Sequence, residues 1–305
     1  MNYVQLYQAI QDYAETNEQL FVANIPRFVQ EAEDRIYNSV QLPSLRKNVT
    51  GTLTTGNKYL SLPNDWLATY SLAIVVDGSY EYLLNKDVNY IRQAFPNPSD
   101  TGTPTHYALF GSQYTLTNEL SLIMGPTPDD NYTAELHYFY YPPTIVQGQI
   151  TLMATTTAGT LYVPGTYKEV SLTGGSGSGA TASITVNSSG SVSSVTLTDG
   201  GQFYKVGDTL SALASSLGGA GSGLVLTVSA VSNADGTSWL GDNYDPVLFY
   251  GAMREAMIFQ KQEPDLIKNY EDKYQEAMAQ LKRLGDGLER GDAYRDGQTK
   301  LRVNT

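Results

Sequence analysis

The sequence predicts an α+β protein: a four-helix bundle assembled from both chain ends, a central antiparallel β region and an inserted all-β domain. Three observations point there. Long helical stripes lie towards the two ends of the chain. Short alternating segments separated by turn residues fill the stretch from about 46 to 141. Between Ile150 and Gly236 the composition changes sharply to Gly, Ser, Thr and Val. The only charged residues there are Lys168, Glu169, Asp199, Lys205, Asp208 and Asp235. The predicted boundaries are 1–148 for the first helices and the β region, 149–236 for the inserted β domain, 237–288 for the helices that complete the bundle, and 289–305 for an extended C-terminal arm.

Tyr3, Leu6, Ile10 and Tyr13 repeat at 3-4-3 spacing, one face of a first helix. A second helix is predicted to start near Asn24, with Pro26 in its first turn, where the missing N–H costs nothing. Its apolar face is Ile25, Phe28, Val29, Ala32 and Ile36, and Gln41-Leu42-Pro43 ends it. Val49 to Leu62 reads as a hairpin around Thr54-Thr55-Gly56-Asn57. Leu72–Val76 and Tyr80–Leu84 flank Asp77-Gly78, a tight-turn dipeptide whose second residue accepts positive φ. Asp87 is placed to cap a short helix through Ala94, stopped by Phe95-Pro96. Strands resume at His106–Phe110, Gln113–Thr117, Leu120–Gly125 and Thr133–Tyr141.

The Gly- and Thr-rich stretch alternates apolar and polar residues in Ala182–Val186 and Ser193–Leu197, which a disordered linker does not need. It also contains an echo: Gly174–Gly179 and Gly218–Gly223 each precede a strand. Asp245-Pro246 starts a helix to about Gln262, and Pro264-Asp265 starts another. The latter's stripe is Ile267, Tyr270, Tyr274, Ala277, Leu281 and Leu284, and Gly285-Asp286-Gly287 is read as its end.

The net charge is -12 and the chain has no cysteine. The first argues against gripping the polyanionic DNA backbone by a bulk field, while suiting a passage through which DNA slides. The second excludes disulfides, Cys-ligated metals and a thiol nucleophile. The 23 tyrosines suit surfaces buried against other proteins. No apolar run approaches the ~20 residues of a membrane span, and no secretory signal is read, so the chain is expected to be soluble as made.

The candidates for chemistry are few. His106 and His137 sit in aromatic strands, where a histidine satisfied by the sheet is the simpler reading. Gly174–Gly179 opens a strand and lacks the Lys-Ser/Thr of a phosphate loop. Asp242, Asn243 and Asp245 miss the spacing of a calcium loop, and Asn243 or Asp245 reads better as a helix cap. Asp129-Asp130 reads as a turn, and Glu31–Arg35 as a solvated helix face with local ion pairs. No carboxylate pair stands out for glycoside hydrolysis. No catalytic, metal or cofactor site is therefore predicted.

Several stretches resemble head-to-tail adaptor (connector) proteins of short-tailed, podovirus-like phages, of the tail tubular protein A type. They are Phe28–Ile36 (FVQEAEDRI), Arg46–Thr52 (RKNVTGT), Tyr59–Asp65 (YLSLPND), Gly102–Tyr107 (GTPTHY), Glu135–Pro142 (ELHYFYYP), Thr237–Asn243 (TSWLGDN), Tyr250–Ala256 and Asp292–Gln298 (DAYRDGQ). The resemblance covers roughly 1–148 and 237–305, and residues 150–236 depart from it. It implies a virion structural protein without catalytic residues. Such a protein forms a ring, usually of twelve copies, between the portal protein and the tail nozzle, around the channel through which DNA is ejected. It also gives the C-terminal arm a partner, with Arg290, Tyr294, Arg295, Gln298, Leu301 and Arg302 as candidate portal contacts. Separately, the low charge and β pattern of the inserted domain suggest that it faces outward and braces tail fibres or decorates the collar. The alternative from another class is a carbohydrate- or receptor-binding tail protein, whose β module would stack exposed aromatics on sugars. Only Tyr162, Tyr167, Phe203 and Tyr204 are available for that inside the insert.

Overall fold

Asn2 opens the first helix with a reciprocal cap: its side chain accepts from the Gln5 N–H at 2.9 Å, and the Gln5 side chain accepts from the Asn2 N–H at 3.0 Å. In the computed structural model, which describes residues 1–97, 99–112 and 120–293, this helix is α1, Tyr3–Ala14. Tyr3, Leu6 and Ile10 are buried as predicted. Tyr13 is exposed, with its ring 5.1 Å from Phe249. Helix α2, Gln19–Ser39, starts five residues before the predicted Asn24, so Pro26 lies inside it and not in its first turn. A proline there costs about 3 kcal/mol. The helix persists because Phe21, Ile25, Phe28, Val29, Ala32 and Ile36 are all buried along one face, each large side chain contributing roughly 1.5–3 kcal/mol.

The chain divides into two compact units, one comprising Met1–Val40 and Pro143–Asp286, the other built on Gln41–Pro142. The second unit holds β1 (Arg46–Leu53), β2 (Tyr59–Ser61), β3 (Trp66–Val76), β4 (Ser79–Tyr82), β5 (Leu84–Asn85), α3 (Val88–Ala94), β6 (His106–Ser112), β7 (Leu120–Gly125) and β8 (Tyr132–Tyr140). Two four-stranded sheets result, in the orders β1-β8-β3-β4 and β2-β7-β6-β5. The Asp77-Gly78 hairpin forms as read, with positive φ at both residues and Val76 opposite Ser79. Asp87 caps α3 through the Asn89 N–H at 2.7 Å.

The hairpin read over Val49–Leu62 is corrected. Its turn is present, with the Asn57 N–H bonded to the Thr54 carbonyl, but β1 pairs with β8 and β2 pairs with β7, in different sheets. Nor is the region wholly antiparallel, because β5 runs parallel to β6. Leu53, Leu72, Ile74, Leu136 and Tyr138 from the first sheet meet Leu122, Met124 and Tyr107 from the second in one core. The strand predicted over Gln113–Thr117 lies outside the described residues.

In the first unit, β9 (Gln149–Thr160), β10 (Gly165–Gly174), β11 (Thr181–Val186), β12 (Val192–Asp199), β13 (Thr209–Ala212) and β14 (Ser222–Ser232) form one sheet, ordered β12-β11-β10-β13-β14-β9. It curls until its ends meet, where the Ile150 N–H bonds the Gly200 carbonyl at 2.9 Å. The order reads the same from either end once β9, β10 and β11 are exchanged for β12, β13 and β14, so the echo seen in the sequence is a pseudo-twofold repeat. Leu161 and Phe203 both have φ of 63°, and the tyrosine after each is buried, Tyr162 at 3% and Tyr204 at 2% exposure. The backbone N–H of Tyr162 bonds Gly190 and that of Tyr204 bonds Gly148, each at 3.0 Å.

The two halves are interlocked. A Cβ on Gly221 would enter the Tyr162 ring, and one on Gly177 would enter the Tyr204 ring. Each tyrosine thus lies over the glycine loop of the other half. Glycine is required at both places by close approach.

Helices α4 (Trp239–Asn243), α5 (Asp245–Phe259) and α6 (Pro264–Ala293) complete the chain. Helices from both chain ends pack together: α1 and α2 lie against α5. Gly251 lets α2 and α6 approach α5, since a Cβ there would sit 3.0 Å from that of Ala32 and 3.2 Å from the Tyr274 ring. Tyr274, Ala277 and Leu281 are the buried positions of the predicted α6 stripe. The predicted end of α6 is corrected, because the helix continues through Gly285-Asp286-Gly287 to Ala293. Glycine permits a helix to stop but does not compel it, at a cost of about 1 kcal/mol per residue.

Candidate assembly surfaces

Glu33 lies in the stretch read from sequence as a solvated helix face, and that reading is corrected. Its side chain points into the protein and is 3% exposed. One oxygen accepts from the Thr144 hydroxyl at 2.6 Å and the other from the Ile145 N–H at 2.9 Å. Burial pushes its carboxyl up to about 7, the two donors offset part of that, and Asp34 adds a small upward push. Asn233 holds the same segment from the other side, donating to the Thr144 carbonyl at 2.8 Å. The segment leading into the six-stranded sheet is thereby fastened to α2.

Arg35, from the same stretch, also points to a partner. Its guanidinium lies 2.6 Å from Glu255 on α5, whose carboxylate also takes Arg254 at 2.7 Å. Arg254 in turn pairs with Glu271 on α6. Two cations and two carboxylates thus join three helices, with Glu255 only 10% exposed at the centre. The pattern Glu-x-x-Asp-Arg gave no sign of this, because the partners lie more than 200 residues away.

The six-stranded sheet is not an independent appendage in the geometry. The Tyr3 hydroxyl donates to Gln202 at 2.6 Å, and the Phe203 ring lies 5.4 Å from Tyr3 and 5.5 Å from Tyr7. Between α2 and the sheet runs a cleft of about 700 Å³, lined among others by Gln19, Pro26, Gln30, Ser171, Thr181 and Asp199.

The residues singled out for chemistry are dispersed. His106 bonds the Thr105 hydroxyl at 2.8 Å and lies beside the rings of Tyr90 and Phe95, as a sheet histidine does. His137 faces outward on β8. Gly174, Gly175 and Gly179 take positive φ in turns, and Ser176 between them donates to Asp208 at 2.6 Å. Neither Asn243 nor Asp245 caps α5: Tyr244 holds that position without a side-chain bond, while Asn243 donates back to the Trp239 carbonyl at 3.0 Å. Asp129 accepts from the Tyr132 hydroxyl at 2.6 Å in the loop before β8. Among the described residues no group of three or more His, Asp or Glu is placed to hold a metal ion, and no helix is long and apolar enough to cross a membrane. Burial of Tyr162 and Tyr204 removes two of the four aromatics on which a sugar-stacking reading of the β module depends.

Of the candidate portal-contact residues, Arg290 falls within α6, though its side chain lies outside the described residues. Tyr294, Arg295, Gln298, Leu301 and Arg302 lie outside them altogether.

In Gln41–Pro142 each lysine and arginine is set against an aromatic ring. Arg46 lies 3.8 Å from the centre of Tyr70 and Lys47 4.0 Å from that of Tyr140; Lys58, Lys86 and Arg92 sit against Tyr59, Tyr90 and Phe110. Lys47 also reaches Asp65 at 2.6 Å, so a carboxylate and a ring hold one cation together.

Comparison with known proteins supplies the family. The sequence model described as the SU10 adaptor protein matches residues 1–174, which spans α1 to the end of β10. The match runs past residue 148 into the first two strands of the six-stranded sheet. Comparison with curated proteins finds no match. A match over more than half of the chain, on a scaffold with helices from both ends packed together, is decisive: the chain belongs to the SU10 adaptor protein family, and is a phage head-to-tail adaptor with a structural role in the virion.

Proposed function

We propose that this protein forms a dodecameric ring at the neck of the virion, with the portal protein above and the tail nozzle below, around the DNA ejection channel. The observation that carries this reading is the family match across α1 to β10. Two features support it. The net charge of -12 disfavours adhesion to DNA passing through. Exposed tyrosines, among them Tyr13, Tyr70 and Tyr90, offer amphipathic contact area to neighbouring subunits. In this reading the basic and aromatic segment from Arg290 to Arg302 engages the portal, and the body formed by β9–β14 faces tail fibres.

Electron microscopy of the purified chain, alone and mixed with its portal, tests this. The expected result is a closed ring seated under the portal, and a variant lacking 294–305 that still forms rings but no longer binds. A chain that stays monomeric and never joins the portal overturns the proposal.

A further inference from the structure

The outer face of the sheet β1-β8-β3-β4 has a defined grid. Its register places Thr50, Glu135, Ala73 and Tyr82 side by side in one row across the four strands. The next row contains Asn48, His137 and Ser71, and the row on the other side ends in Val75 and Tyr80. Small residues at 71 and 73 leave a floor between the tall side chains. The result is a pocket of about 170 Å³ lined by Ser71, Ala73, Tyr80, Tyr82, Glu135 and His137. That is smaller than the roughly 300–1,000 Å³ of a drug-sized ligand site and suits the head of one side chain.

Glu135 is held in place on this floor. It accepts from the Asn48 amide at 2.5 Å and from the Tyr80 hydroxyl, and these two bonds hold its carboxyl below the usual range. Its charge is therefore fixed and oriented. No lysine or arginine among the described residues pairs with it, whereas Asp65 in the same unit holds Lys47 together with the Tyr140 ring. Tyr80 and Tyr82 are 59% and 70% exposed on the edge strand β4, although each carries a large ring.

We propose that this pocket receives a basic side chain, an arginine above all, from a different virion protein, with Glu135 as counter-ion and Tyr82 as the ring against which the guanidinium packs. An oriented carboxylate beside an aromatic ring is the arrangement that this unit already uses for its own lysine. A different, basic protein is favoured over a second copy because the chain carries 31 acidic against 19 basic residues, so the charge complementary to Glu135 is denser on a basic partner than on another copy.

The test is titration calorimetry of the isolated chain with a tetra-arginine amide and, as control, tetra-citrulline, its neutral isostere. Wild type should bind the arginine peptide and not the citrulline one. Glu135→Gln should weaken binding about tenfold, and Tyr82→Ala about threefold, in line with the ~0.5–1 kcal/mol of an exposed cation–π contact. Tyr82→Ala alters an exposed edge residue and keeps the charge, so it reports even if Glu135→Gln fails to fold. Equal affinity in wild type and both variants overturns the proposal, because binding would then come from diffuse acidity. So would absence of arginine binding. Neither outcome depends on a ring or on the portal, so this test fails or succeeds separately from the assembly proposal.

Discussion

Glu33 on α2 and Thr144, 111 residues later, are joined by a 2.6 Å hydrogen bond in which the threonine hydroxyl donates to a buried carboxyl group. With the Ile145 N–H on its other oxygen, Glu33 has two donors and, among the described residues, no cation. That arrangement sets the sign of a pH effect. The folded carboxyl titrates at about 7 and the free one near 4.5. Below pH 4.5 both states hold the proton. As pH rises from there to 7 the unfolded chain releases it first, so stability falls, by about 3 kcal/mol from this group when the change is complete. Glu33→Gln removes the effect. Urea unfolding at pH 5 and pH 8 should show a smaller loss in the variant than in wild type. An identical loss in both would show that Glu33 is not the group responsible.

The interlocked tyrosines predict equal sensitivity of two distant glycines. Gly177→Ala and Gly221→Ala each force a methyl group against a buried ring, at a cost of about 2–3 kcal/mol. Both should lower the melting temperature to a similar extent, whereas Gly56→Ala, with no atom within 4 Å, should show only the strain of its φ of 74°.

Phe203 ties α1 to the six-stranded sheet through Tyr3 and Tyr7. Phe203→Ala should cost about 2 kcal/mol, two aromatic pairs at ~0.5–1.5 kcal/mol each. Amide hydrogen exchange should show the loss concentrated in Tyr3–Ala14. Unchanged protection of α1 would mean that the Phe203 ring contributes nothing to holding the helix.

Glu255 sits between two arginines at 2.6 and 2.7 Å. Glu255→Gln leaves both guanidinium groups short of a charge, and the partial exposure of Arg35 and Arg254 limits the cost to about 2 kcal/mol. The midpoint of urea unfolding should fall accordingly. The loss should shrink when Arg35 is also changed to Met, because the two side chains share one interaction.

Local features were legible in the sequence and distant pairings were not. The Asp77-Gly78 turn, the Asp87 cap and the buried faces of α1 and α6 depend on residues within a few positions of one another. The fate of Val49–Leu62 depended on which strands β1 and β2 chose as partners, and both chose strands 60 or more residues away in register. Glu33 was misread because a charged residue inside a polar run carries no mark of burial. Its clue lies only in its position, four residues after Val29 and three before Ile36 on the apolar face of α2. The pocket around Glu135 was equally hidden, since its floor and walls come from three strands whose register no single segment reveals.

The exchanged tyrosines also bear on how the six-stranded body came to exist and how it folds. Neither half can complete its own glycine loop, so neither is a folding unit by itself. A chain opened between Asn187 and Ser191 should give two fragments whose shares of the six-stranded sheet are unstructured apart and structured together. A peptide carrying one half alone should associate with a copy of itself, each tyrosine seating on its neighbour's loop. An ancestral half-length module would then have been a homodimer before its two copies were joined in one chain, and its cooperativity would descend from that subunit contact.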